Sequence, residues 1–274
     1  MNALPPWLSL TPADAPLIVS MPHTGTEIPP PLQIRFVSRW LALKDADWWV
    51  HRLYDFAPSL GVTTLRTRLS RSTIDVNRDP SGRSLYPGQN TTELCPTTTF
   101  DGEPLYRDGL PPDAVEIARR RSAYFEPYHA ALAAEVRRLR GNHQKIVLFE
   151  AHSIRSRIRR LFEGELPDFN IGTNSGASCA AELTSAIERI CENSGLAHVT
   201  NGRFKGGYTT RHYGEPAQGI HAVQLELAMR GYLEEPKVPE PENWPPPYDA
   251  VSAAPMCATL KKILEACLEF ASTT

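Results

Sequence analysis

Lys145–Ser153 reads KIVLFEAHS. The apolar run Ile146-Val147-Leu148-Phe149, rich in β-branched and aromatic side chains, predicts a strand buried on both faces. It changes character at once in Glu150, Ala151, His152 and Ser153. In an open α/β sheet, ligands bind at the carboxyl ends of the strands, which makes His152 a candidate site residue. A second stretch has the same design: Leu17-Ile18-Val19-Ser20-Met21 runs into Pro22-His23-Thr24-Gly25-Thr26-Glu27. Proline and glycine around His23 predict a tight loop in which backbone can approach a ligand.

Outward from these strands the chain alternates. Residues 31–60 read as helical, with Asp45 a possible cap and Gly61 a stop. Thr63–Val76 reads as an extended pair or one long bent strand. Residues 79–112, rich in Pro, Gly, Thr and Asn, predict a long surface excursion. Asp113–Arg140 has the longest helical pattern, capped by Asp113, ended by Gly141 and kinked or divided at Pro127. Phe169–Gly172 predicts a short strand. A helix then starts at Ser175 or Ser178 and closes at Gly195, with Leu183, Ile187, Ile190 and Cys191 on one face. His198–Asn201 reads as a brief strand, residues 203–211 as a basic, glycine-rich loop, and Ala222–Leu227 as another strand with Glu226 near its carboxyl end. A Pro-rich connection over 234–250 precedes a C-terminal helix over 251–271. This alternation predicts an α/β fold, a mixed, mostly parallel β-sheet flanked by helices, in a single domain spanning 1–274.

A length of 274 residues supplies ample core. The net charge of −2 gives no reason to expect nucleic acid or a membrane surface as partner. No apolar run reaches the ~20 residues that cross a bilayer, and the start of the chain lacks the pattern of a signal peptide. The five Cys, at 95, 179, 191, 257 and 267, form no CxxC pair. That set fits reduced thiols and a cytoplasmic setting.

The candidates for chemistry are His23, Asp45, Asp47, His152 and Glu226, each at or just past the end of an apolar segment. Two His and a carboxylate with one open position suit a divalent metal ion, zinc first among them. Such an ion lowers the pKa of a bound water and polarises a carbonyl, and a further carboxylate that is not a ligand serves as base. Asp45 and Asp47 stand two apart, so in a helix they point in different directions. One can ligate while the other caps a helix or orients a His. A second constellation, Arg71, Asn77 and Arg78 in SRSTIDVNR, suits a bidentate grip on a carboxylate. With Arg203, Lys205 and Arg211 it predicts a cationic site in an acidic protein, hence a small anionic substrate.

MPHTGTEIP, DADWWVHRLYDFA, SRSTIDVNRDP, LYPGQNTTELCP, FEAHSIRSRI, RLFEGELPDFNIGTNSGASC, NGRFKGGYTTRHYGEP and HAVQLEL, in this order over roughly residues 15–235, resemble the N-formylglutamate amidohydrolase (N-formylglutamate deformylase) family. The resemblance implies hydrolysis of N-formyl-L-glutamate to formate and L-glutamate, the last step of one bacterial route of histidine degradation. It also implies a fold similar to the zinc carboxypeptidases, with a mixed sheet of about eight strands. Carried over by position, His23 is the first metal ligand, His152 the distant one, Asn77-Arg78 the carboxylate grip and Glu226 the base. The peptidase pattern places a Glu three residues after the first His, where this chain has Thr26. The second ligand is then Glu27, Asp45 or Asp47, with Asp47 preferred because it begins an amphipathic stretch. A related metallohydrolase acting on another N-acyl amino acid or a C-terminal peptide bond is the alternative. A metal-free binding module for acidic metabolites is a more distant one.

Overall fold

The computed structural model describes residues 4–273. In chain order its elements are β1 (Leu8–Thr11), β2 (Leu17–Met21), α1 (Pro30–Gln33), α2 (Arg39–Leu43), α3 (Val50–Leu53), β3 (Thr63–Thr67), α4 (Ala114–Arg120), α5 (Glu126–Asn142), β4 (Ile146–Ile154), β5 (Phe169–Gly172), α6 (Ala181–Ser194), β6 (His198–Thr200), α7 (Tyr208–Tyr213), β7 (Ile220–Ala228) and α8 (Ala250–Ser272). One seven-stranded sheet has the order β1-β3-β2-β4-β7-β5-β6. The middle strands β3, β2, β4 and β7 run parallel, while β1 and β5 are antiparallel to their inner neighbours. The class is therefore α/β with a mixed sheet, seven strands rather than about eight.

Strand periodicity gives the sheet two chemically different faces. Val19, Phe149, Ala151, Val223, Leu225 and Leu227 point one way and pack with Leu183 and Ile187 of α6 and Leu260, Ile263 and Leu264 of α8. On the other face Ile18, Leu148 and Ala222 pack under Tyr128 and Leu132 of α5. Further along, that same face turns polar. The register aligns Ser20, Glu150 and Gln224 in one row, and His152, Glu226 and Asn170 in the next. The amino ends of the middle strands thus carry the core, and their carboxyl ends carry the site. Helix α8 finishes at the opposite edge: Lys145, just before β4, lies over the Phe270 ring and donates to Thr273 Oγ1, and Phe270 also packs on His221.

Several expectations change in detail. Residues 31–60 form three short helices and a 3-10 turn, and at Trp49 a left-handed backbone (φ 64°) directly precedes α3. The extended stretch at 63–76 keeps strand pairing only over Thr63–Thr67 and then turns. Asp113 does cap α4, its side chain accepting from Glu116 N. The division of that long helix is a π-helical turn at Arg121–Phe125, which directly precedes Pro127 in the first turn of α5. Ser178 does not start α6; its hydroxyl donates to Ala222 O, and Ala180 precedes the helix. Part of the 203–211 loop is helical, as α7. No helix among the described residues is long and apolar enough to cross a membrane.

Arg120 of α4 is fully buried and donates to Thr73 O, Tyr106 Oη and Glu116. It ties α4 to the loop that follows β3. Hydrogen bonds from Arg119, then Arg120, pull Glu116 down to about 2, from 4.5. A carboxyl with a depressed folded pKa stabilises above its unfolded pKa and loses that stabilisation as pH falls through the folded value. The destabilisation caused by Glu116→Gln is therefore expected to be full above pH 4.5 and to fade towards pH 2. Melting curves of the two proteins across that range measure it; a gap that widens on acidification contradicts the pairing.

Candidate metal centre and active-site crevice

Four strand ends feed one crevice. His23 follows β2, and its loop is held close to the loop after β3: a Cβ on Gly25 would stand 2.2 Å from Leu69 O. His152 and Glu226 are cross-strand partners on β4 and β7. Arg71, Asp75, Asn77 and Arg78 lie in the loop after β3. That loop is fastened from outside by Arg120 at Thr73 O and by His129 of α5, whose Nε2 is 2.8 Å from Val76 O. The crevice encloses about 580 Å³, mouth included. His23, Arg71, Asn77, Arg78, His152 and Glu226 line it on the sheet side, and Tyr86, Asn90, Arg203 and Phe204 on the far side.

At its floor His23, Asp47 and His152 each bring one ligand atom within 4.8 Å of the others. His152 Nδ1 is 3.0 Å from Asp47 Oδ2, and His23 Nδ1 is 3.8 Å from the same oxygen. His23 Nδ1 and Asp47 Oδ1 are buried and have no hydrogen-bond partner among the described residues. Orphaned buried polar atoms are costly and call for a partner. An imidazole nitrogen and a carboxylate oxygen left open beside a second imidazole are the donor set of a divalent cation, so the residues fit a metal ion. The other two carboxylate candidates lie elsewhere. Glu27 is half exposed and pairs with Arg68 on the surface. Asp45 caps no helix; it accepts from Phe100 N and faces Arg155.

The ring nitrogens turned away from this cluster are also held. His23 Nε2 is 2.7 Å from Asp75 Oδ1, and His152 Nε2 is 3.0 Å from Asn77 Nδ2. Asp75, not among the candidates read from the sequence, has three tasks. It binds His23, accepts from Asn77 N, and takes Arg71 Nη2 at 2.7 Å. Burial alone would raise its pKa; the charges of Arg78, His23 and Arg71 outweigh that and hold it well below the ordinary range. Burial, then Arg71, pushes His23 down to about 4, which favours the neutral, ligating form.

Glu226 differs from every other carboxylate here. No described residue donates a hydrogen bond to its side chain, and it lines the crevice rather than the core. Burial raises it to about 7, against the pull of His152. Glu150, one row deeper, is also raised by burial to about 7; it accepts from Ser20 Oγ, which meets Tyr128 Oη.

The arginines divide. Arg71 and Arg78 share Asp75, at 2.7 and 3.7 Å. Arg78 also donates to Thr92 O and Oγ1. Arg203 has no carboxylate within ion-pair reach among the described residues; it donates to Leu161 O and Asn90 O and lies over Tyr86 and Phe204. Arg211 is not in the crevice wall. Its Nε donates to Gly206 O, and its guanidinium covers the outside of Tyr86. Asn77 is committed at both ends, Nδ2 towards His152 and Oδ1 accepting from Thr209 N.

This architecture has matches. The family description N-formylglutamate amidohydrolase fits residues 15–233. The chain belongs to the N-formylglutamate amidohydrolase family. An N-formylglutamate deformylase of Pseudomonas aeruginosa is 45% identical over 262 residues, covering 95% of this chain and 96% of that one. One of Pseudomonas putida is 45% identical over 254 residues, 92% of each. The crystal structure of an N-formylglutamate amidohydrolase from Ralstonia eutropha JMP134 superposes with a TM-score of 0.75 at 24% identity, covering 96% of this chain and 98% of that one. With relatives of these names, the chain is a hydrolase acting on an amide.

Packing around Asn77 exposes one position in this family member to a sharp test. A Cβ on Gly207 would stand 2.4 Å from Asn77 Nδ2. Gly207 has ordinary backbone angles (φ −84°), so the constraint is contact alone. Gly207→Ala is expected to cost about 1–3 kcal/mol, the usual range for overpacking, and to depress turnover by displacing Asn77 from His152. Thermal melts with steady-state kinetics check both; an unchanged protein would show that Asn77 has room to move.

Proposed function

We propose that the protein hydrolyses N-formyl-L-glutamate to formate and L-glutamate with a divalent metal ion, zinc first, held by His23, Asp47 and His152. Bound there, the ion would supply Lewis acidity towards the formyl carbonyl and lower the pKa of water. The observation that carries the reading is the free, crevice-facing carboxylate of Glu226 in the same row as His152, across from His23 and Asp47. The two Pseudomonas relatives named as deformylases support the substrate.

The protein's own groups divide the work. Glu226, near neutrality in its pKa, takes a proton from the attacking water, and the new C–O bond forms at the formyl carbon. When the C–N bond breaks, Glu226 returns the proton to the leaving α-amine. Asp75 and Asn77 hold the two imidazoles in place, so little reorganisation is needed as charge develops. Arg71 and Arg78, only partly neutralised by Asp75, hold the α-carboxylate of the substrate. Arg203 adds a charge that no described carboxylate pairs with, which favours a dianionic substrate over a monoanionic one. A place at the end of histidine degradation fits that substrate, and a cytoplasmic setting fits five unpaired cysteines.

Release of formate from N-formylglutamate by the purified protein tests the reading. Chelation is expected to stop it and added divalent metal to restore it. A faster rate on N-acetylglutamate would overturn the formyl assignment, since a pocket discriminates one methyl group by only about 1–3 kcal/mol and the smaller acyl group must still be preferred. Undiminished activity after exhaustive chelation, with no metal left in the protein, would overturn the metal.

A further inference from the structure

Gln224 of β7 stands two residues before Glu226, on the same face and one row deeper in the sheet. It is 4% exposed and lines the crevice. Its amide is fixed in one orientation, because Oε1 accepts from Gly207 N at 2.7 Å. That leaves Nε2 with two N–H donors. No described residue accepts from them, yet the atom is not among the sealed, unpartnered ones. The donors can therefore be reached, and the crevice is the space that Gln224 lines. The neighbouring Asn77 is oriented in the same way, by Thr209 N on its Oδ1, but its N–H₂ is used on His152. Among the described amides that line the crevice, Gln224 alone has both donors unused.

We propose that Gln224 binds the side-chain carboxylate of the substrate and is a specificity-determining residue. The placement follows from the row order. With the formyl carbon beside Glu226 and His152, the scissile amide is at the level of the outer polar row. The formyl group has nothing that extends further. The part of the molecule that reaches the inner row is the far end of the amino-acid side chain, and in glutamate that end is a carboxylate. A neutral N–H₂ donates to a carboxylate and does not repel it, whereas an amide-ended side chain would bring its own donors there. The assignment rests on the deformylase reading given above.

Gln224→Glu keeps the oxygen that Gly207 N needs and, once ionised, removes both donors, so the assay is run above the range to which burial raises Glu150 and Glu226, about 7. It is expected to raise KM for N-formylglutamate by about 10- to 100-fold, the range for losing a hydrogen bond to a charged group. The ratio of kcat/KM for N-formylglutamine over N-formylglutamate should rise by more than tenfold. N-formylnorvaline, which has no side-chain carboxylate, should change by less than threefold. Gln224→Met should lose affinity for N-formylglutamate without the gain on N-formylglutamine. Metal content should match the parent protein in both variants, and both should fold, with Gln224→Met melting lower because it leaves Gly207 N without its acceptor. Equal losses on all three substrates, or an unchanged KM for N-formylglutamate, would overturn the assignment. Absence of N-formylglutamate turnover in the parent protein would instead defeat the deformylase reading, so the two failures are distinct.

Discussion

Glu226→Gln is expected to lower kcat by about 10²–10⁴-fold, the usual contribution of a positioned acid–base group, while metal content stays at the parent level. The substitution keeps the shape of the side chain and removes its ability to accept a proton. Nothing in the protein leans on that carboxylate, since no described residue donates to it, so the fold should not register the change. It also lies outside the group of three that would ligate the ion. KM should move little, because Arg71, Arg78 and Gln224 are untouched. Steady-state kinetics with metal analysis on the same preparation decide the point. A variant that retains full activity would remove Glu226 from proton transfer, and a variant that loses both activity and metal would make it a ligand.

Asp47→Asn should act in the opposite way, losing the ion first and activity as a consequence. Asp47 Oδ2 lies between both imidazoles and also accepts from Ser153 N, and Oδ1 stands 3.7 Å from Arg71. An amide there retains one oxygen but not the charge. The loss in metal affinity should exceed the 10–100-fold seen when only a supporting group is removed. Excess metal should recover part of the turnover. Asp45→Asn is the matched control, because its carboxylate faces Phe100 N and Arg155; it should leave metal content unchanged. Equal metal loss in both variants would mean that the fold around 45–47, and not the ligand, had been damaged.

How much of this could be read from the chain depended on how local each signal was. A buried strand that ends in His is written in consecutive residues, and His23, His152 and Glu226 were legible for that reason. So was the Asp45/Asp47 pair, though not which member turns inward. That choice is made by contacts distant in sequence: Asp47 N donates to His23 O, while Phe100 N and Arg155 hold the Asp45 carboxylate elsewhere. Asp75 was harder. Its partner His23 is 52 positions away, and beside two arginines it reads as an ordinary ion pair. The signal present was its position between Ile74 and Val76, both buried; a carboxylate enclosed in that way has a partner to serve. Gln224 gave less still. Inside AVQLEL it reads as the polar position of an alternating strand, and only the contact from Gly207 shows which end of the amide is free. Arg211 stands apart from the others: a basic, glycine-rich stretch suggested one function for all its cations, but this one lies over Tyr86 and is not among the residues lining the crevice.

The position of α8 has a practical result. Its last turn lies against Lys145 and His221, where β4 and β7 begin, and the crevice opens where those same strands finish. A tether attached beyond Ser272 would thus leave from the side of the molecule away from incoming solute. Immobilised on a bead or an electrode by that end, the protein would present its mouth to the liquid, whereas attachment through Lys205, exposed beside Tyr86, would obstruct it.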